Sequence, residues 1–286
     1  MFGLMFRALT HRPDKNLLRQ FKPPVLPAIT REQIVTVDPS HYQRYATITG
    51  WQHEAMHPCY LQVLSLPLQM QCLAHKRSPF PLLGLVHRAN TIRQKNHADI
   101  NMPFELRVGF SEIAPHAKGW DVKMVSRVLQ NNVLVYEAEA TYLVRVKAPH
   151  VGTDGIGTVK PARRQQGAYP QQVGEVSAPS DIGRRYARVS GDANPIHLFD
   201  VTAKLFGFPS AIAHGMWTLA SSVSLLYPSA PVTEVAIECG FKKPLLLPGA
   251  AVLKASKGEV PQAFLLENAA SQEPVLTGTI HNYFSL

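Results

Sequence analysis

The sequence predicts an α+β protein made of two similar halves, each an antiparallel sheet wrapped around one central apolar helix. Three observations predict it. Tyr45-Ala46-Thr47-Ile48-Thr49-Gly50-Trp51 is echoed by Tyr186-Ala187-Arg188-Val189-Ser190-Gly191-Asp192, and residues 80–99 (FPLLGLVHRANTIRQKNHAD) can be laid over 232–251 (VTEVAIECGFKKPLLLPGAA), apolar run before polar, basic turn, so the chain reads as a duplication. Each half also holds one run that is apolar almost all round, 60–74 (YLQVLSLPLQMQCLA) and 213–227 (AHGMWTLASSVSLLY), as suits a helix buried on most sides. Strand-like runs rich in Val and aromatics follow each helix, and a sheet whose apolar face closes over a helix is an α+β arrangement.

Taken in order, residues 1–28 form a basic arm. Its apolar run, interrupted by Arg7, is too short to span a bilayer, and no small-residue cleavage site follows it. Phe2, Leu4, Met5, Phe6 and Leu9 among Arg7, Arg12, Lys15, Arg19 and Lys22 would suit a basic amphipathic helix touching a membrane, but an arm packed on the body is the expectation. The first repeat occupies 29–149, with a helix over 60–74 interrupted by Pro67 and strands over 104–114, 119–130 and 132–148. A Gly-, Gln- and basic-rich linker, 150–172, has little apolar periodicity and carries Arg163 and Arg164, which could face an anion. The second repeat, 173–286, offers a helix over 213–227 and strands over 234–245, 250–258, 263–270 and 275–286.

Composition narrows the class. A chain of 286 residues with 45% hydrophobic and 17% charged content is globular, enough for one large domain or two ordinary ones. Cys59, Cys72 and Cys239, odd in number and without a C-x-x-C pair, indicate neither a disulfide framework nor a cysteine zinc site, and a reducing cytoplasmic setting is expected. The formal charge of +9 favours an anionic partner: nucleic acid, a membrane surface, or the phosphates or acidic carrier of an acyl thioester. Dispersed basic residues without an aromatic RNA-binding signature argue against nucleic acid.

The chemistry-bearing stretch is 186–219, YARVSGDANPIHLFDVTAKLFGFPSAIAHGMWTL. Gly191 permits backbone angles closed to other residues, Pro195 fixes φ, and Asn194 tolerates tight turns while offering a donor and an acceptor. Together they would hold Asp192 and His197 in one geometry. One competing motif is His53-Glu54-Ala55-Met56-His57, which fits the H-E-x-x-H zinc pattern. That pattern needs a helix, and Pro58 directly after it with Gly50 and Trp51 just before it leave little room for one. No metal site is expected. His87 lies in a strand-like run with no candidate partner beside it, and a structural role is its default.

The combination Tyr186, Val189, Ser190, Gly191, Asp192, Asn194, Pro195, Ile196 and His197, then His214-Gly215-Met216, resembles the signature of the MaoC-like (R)-specific enoyl-CoA hydratase and 3-hydroxyacyl-thioester dehydratase family. The resemblance implies a double hot-dog fold and reversible hydration of trans-2-enoyl thioesters of coenzyme A or acyl carrier protein, without metal or redox cofactor. It also implies that the second repeat is catalytic, while the first, with Trp51 in place of Asp192, widens the acyl-binding space. Asp192 and His197 are the expected acid/base pair, an ionised Asp192 favouring the proton on His197. Asn194 would orient the pair or the water, and His214 has either a structural or a functional part. The N–H of Gly215 would stabilise the enolate-like oxygen from a helix N-terminus. A hot-dog thioesterase and a non-catalytic acyl-thioester-binding protein are the alternatives. Carrying both repeats, the chain would form a pseudo-dimer by itself, with a homodimer also possible.

Overall fold

The structure, a computed structural model, describes residues 14–82, 84–95, 98–149, 151, 169–227, 234–257 and 262–283. The first half of the basic arm and most of the linker, with Arg163 and Arg164, lie outside the described residues. Among the described residues no helix is long and apolar enough to cross a membrane.

The first half opens with a short helix α1 (Lys15–Leu18), strand β1 (Thr30–Val35) and helix α2 (Pro39–Thr49). Helix α3 (Tyr60–Leu73) and strands β2 (Val86–Gln94), β3 (Phe104–His116), β4 (Gly119–Gln130) and β5 (Val133–Arg145) complete it. The second half runs through β6 (Gln171–Ala178), α4 (Ile182–Ser190), a 3-10 turn (Pro195–His197), α5 (Asp200–Lys204) and α6 (Gly215–Leu226). It ends in β7 (Glu234–Phe241), β8 (Gly249–Ala255), β9 (Gln262–Asn268) and β10 (Pro274–Tyr283). Both predicted central helices are present, and the predicted strands recur within a few residues of their expected ends.

All strands join one ten-stranded sheet in the order β1-β3-β4-β5-β2-β7-β10-β9-β8-β6. The two halves meet at β2 and β7, paired antiparallel from Ala89↔Gly240 to Gln94↔Val235. The sheet buries α3 and α6: Tyr60, Leu61, Val63, Leu68, Cys72 and Leu73 of the one, and Trp217, Leu219, Ala220, Val223 and Leu226 of the other, belong to a single core. Apolar residues all round both helices thus have a physical cause, since neither shows a broad face to water.

Two features were not read from the sequence. The Tyr-led segments end helices. Residues 45–49 close α2 and 186–190 close α4, each followed by a left-handed glycine, Gly50 at φ 75° and Gly191 at φ 77°. Strands β1 and β6 were also not expected. They form the two edges of the sheet, where water on the outer side permits polar sequences such as TREQIV and QQVGEVSA.

The H-E-x-x-H segment is not helical, as its flanking residues predict, and its histidines fasten the halves together. His57 Nε2 donates to the Ala220 carbonyl on α6 at 3.1 Å while its Nδ1 accepts the Cys59 N–H at 2.9 Å. His53 Nε2 donates to the Tyr227 carbonyl at the end of the same helix. Trp217 of α6 returns the contact, its indole donating to the Ile48 carbonyl at 2.9 Å. Trp51 stands between His53 and His57, with ring centroids 4.6 Å from each, and so fills the pocket-forming position of the first half.

Burial holds His57 neutral, with its pKa lowered to about 3. A folded-state pKa below the unfolded value gives stability that is present above the unfolded value of 6.5 and lost as pH falls from there toward about 3. Wild type should therefore lose about 2 kcal/mol more than His57→Gln between pH 7.5 and pH 5, read as urea midpoints. Parallel pH dependences for the two proteins would contradict the role given to His57.

Candidate active site

The stretch that carries the candidate residues is folded by its own side chains. After the turn at Gly191, the Asp192 N–H donates to Ser190 Oγ at 3.2 Å, and Asp192 Oδ1 accepts the Asn194 N–H at 3.2 Å. Asn194 Oδ1 accepts the Ile196 N–H at 3.4 Å, capping the turn that Pro195 opens. Asn194 therefore orients Asp192 through its backbone N–H, while its side chain holds the turn. Gly183 of α4 presses on the other side: a Cβ there would stand 1.9 Å from the His197 carbonyl oxygen. Only glycine lets the helix support the loop this closely.

His197 is fixed as one tautomer. Its Nδ1 donates to the Ile212 carbonyl at 2.8 Å, so Nε2 carries the lone pair. His214, at the start of α6, turns away from capping the helix and donates from Nε2 to the Asp192 carbonyl at 3.0 Å. The two imidazoles stack with centroids 3.7 Å apart at 26°, and His214 Nε2 lies 3.9 Å from Asp192 Oδ2. The predicted residues Asp192, His197 and His214 are thus brought together, with Gly215 beginning the helix beside them. The first N–H groups of an α-helix have no intrahelical acceptor, and Gly215 and Met216, which open this one, line the same cavity.

Burial lowers the pKa of His197 below 6.5, outweighing the Asp192 carboxylate and the Ile212 carbonyl that favour protonation. The ionised Asp192 does favour the proton on His197, as expected, but burial outweighs it and the resting imidazole is neutral. Burial takes His214 lower still, to about 3. For Asp192, burial acts to raise the pKa, but the two facing imidazoles and the Asn194 N–H prevail and hold it below the usual carboxylate value of 3.8. The ligand-type atoms of Asp192, His197 and His214 lie within 4.8 Å of one another, the spacing of a possible metal cluster.

These groups line a cavity of about 390 Å³ at the junction of the halves. Val63, Leu66 and Met70 of α3 form part of its apolar wall, so the first half does enlarge the space beside the second half's polar groups. The exposed Arg145, Lys242 and Lys243 line its open side. His87 also lines it, with its ring 4.8 Å from Tyr142 and 4.9 Å from Phe241. No partner for His87 could be read beside it in the chain, because these contacts come from β5 and from the other half. Its place in a strand that would pair with the other repeat was the one available signal.

The MaoC like domain family matches residues 161–277. A relative from Mycobacterium tuberculosis, 3-hydroxyacyl-thioester dehydratase X, is 31% identical over 277 residues, covering 93% of this chain and 96% of that protein. A crystal structure of HtdX from the same organism aligns with a TM-score of 0.75 at 28% identity, over 90% of this chain and 100% of that one. The peroxisomal multifunctional enzyme type 2 of Drosophila melanogaster shares the fold, with a TM-score of 0.70 at 18% identity over 89% of this chain and 48% of its own. The two halves are hot-dog repeats, and the chain belongs to the MaoC-like dehydratase family.

Proposed function

We propose that this protein is a hydro-lyase that reversibly adds water to trans-2-enoyl thioesters, giving (3R)-hydroxyacyl thioesters of coenzyme A or acyl carrier protein. The observation that carries this reading is a neutral His197 with its Nε2 uncommitted, beside an ionised Asp192 and a helix N-terminus in one cavity. The name of the 31% identical relative, a 3-hydroxyacyl-thioester dehydratase, supports the reaction class. The (3R) outcome follows the resemblance of the motif to (R)-specific hydratases.

Hydration needs a base for water, an acid for C2 and donors for the developing enolate oxygen. Asp192 holds the water, and His197 Nε2 takes one of its protons as the oxygen bonds to C3. The C2–C3 double bond's electron pair moves into the enolate, whose oxygen is met by the Gly215 N–H. The imidazolium, stabilised by the adjacent carboxylate, then returns its proton to C2, so hydroxyl and hydrogen come from one water and one wall. Dehydration reverses these steps with the same groups. His214 fixes the Asp192 backbone and stacks on His197, which makes it a positioning residue. One chain supplies both repeats, so the reaction as proposed requires no second copy.

The direct test follows loss of enoyl-thioester absorbance near ~260 nm with crotonyl-CoA, a longer trans-2-enoyl-CoA and the matching carrier-protein thioesters. Asp192→Asn and His197→Gln should each slow hydration by about 10²–10⁴-fold while binding of a saturated acyl thioester survives. Absence of hydration by wild type on every substrate would leave the binding-protein alternative, and thioester cleavage in its place would point to a thioesterase.

A pH profile tests the resting state of the base. Because burial depresses the His197 pKa and Asp192 remains ionised, kcat/KM for hydration should stay level from pH 8 to 6.5 and decline only at lower pH. An acid limb centred at or above 6.5 would contradict a buried, neutral His197.

A further inference from the structure

We infer that His87, a residue of the first repeat, binds the substrate from the cavity wall formed with Tyr142 and Phe241, presenting a neutral imidazole to the thioester end. This rests on the acyl-thioester reading above. The first observation is its placement. The register of β2 against β5 shifts between His87 and Ala89, so that Arg88 is the extra residue of a bulge. Bulges re-aim side chains and are common beside active sites. Here Arg88 pairs with Asp121 through two hydrogen bonds, whereas His87 lines the cavity.

The second observation is how firmly the ring is held. It stacks on Tyr142 at 29°, and the Tyr142 hydroxyl donates to Gln69 Oε1 at 2.7 Å, whose Nε2 donates to Ser126 Oγ at 3.0 Å. On its other side stands Phe241, whose ring would lie 3.0 Å from a Cβ added at Gly215. One aromatic ring therefore separates His87 from the proposed oxyanion site. The exposed Arg145 also lines the cavity. A substrate with its carbonyl at Gly215 and its carrier toward Arg145 passes His87.

The third is an unmet valence. His87 Nε2 is buried without a hydrogen-bond partner among the described residues. Buried polar atoms are ordinarily paired, and with the His87 ring on the cavity wall the missing partner is assigned to the cavity's occupant. Burial also lowers the His87 pKa to about 4 against the pull of Asp192, the carboxylate that faces it. The ring adds a hydrogen bond without a second charge.

The test compares His87→Phe, which keeps an aromatic ring, with His87→Gln, which keeps a polar end, in steady-state hydration and in calorimetric binding of saturated butanoyl-CoA and a longer saturated acyl-CoA. Loss of one hydrogen bond predicts about a tenfold fall in kcat/KM and in affinity for His87→Phe, mostly through KM, with substantial recovery in His87→Gln and thermal melts unchanged. Wild-type kinetics and affinity in His87→Phe, or equal losses in both variants with unchanged melts, would overturn the assignment. If wild type binds the saturated thioesters but hydrates no enoyl thioester, the hydro-lyase reading fails alone, and the affinity arm still decides the role of His87. If wild type binds none of them, both readings fall.

Discussion

The antiparallel ladder from Ala89–Gln94 of β2 to Val235–Gly240 of β7 is the contact on which the rest of the structure depends. It turns two five-stranded halves into one sheet, and the two central helices share a single core. Where the ladder stops, at Ala89 and Gly240, the next side chains along the strands are His87, after the bulge residue, and Phe241. Both line the cavity. The opening thus lies where pairing between the halves ends, and residues from both are needed to wall it. A single repeat would leave the apolar faces of its helix and sheet half covered, which explains why the duplication persists although one copy lacks the polar loop.

That asymmetry has a physical form. In the second half Gly191 turns the chain into Asp192, Asn194 and Pro195 tighten it, and Gly183 lets α4 lie against the His197 carbonyl. In the first half Trp51 follows Gly50 and packs against His53 and His57. A bulky ring occupies what would be polar space. The loop so filled gains another use, because His53 and His57 reach across to carbonyls on α6, the helix whose N-terminus faces the cavity. The loop without the acid/base residues thus clamps the other repeat's helix.

Much of this was legible in the sequence, for reasons that differ by element. The two central helices and the inner strands were readable because burial on all or alternate sides imposes a pattern that composition cannot imitate. Asp192, His197, His214 and Gly215 were readable because a tight turn restricts residue choice, and Gly191, Asn194 and Pro195 each meet one of those restrictions. Edge strands β1 and β6 were not, since solvent relaxes the pattern there. The tautomer and resting charge of His197 were not either, because they depend on the Ile212 carbonyl and on burial by distant residues. His87 was set aside for the same reason: its neighbours Tyr142 and Phe241 lie far along the chain.

The histidines suggest how structural and chemical roles divide in such a core. A neutral imidazole offers one donor and one acceptor, and burying it leaves both to be satisfied or left open. His57 uses both nitrogens on backbone groups, and His41 uses both of its own, one on the Val189 carbonyl and one on the Tyr60 hydroxyl. Such rings have no capacity left for a ligand and act as fasteners. His197, His214 and His87 each leave one nitrogen uncommitted among the described residues, and all three line one cavity. Burial makes an open lone pair costly, so three around one space are hard to account for by packing alone. Their convergence is the physical reason to place the chemistry at the junction of the halves, and to count the first repeat as part of the site.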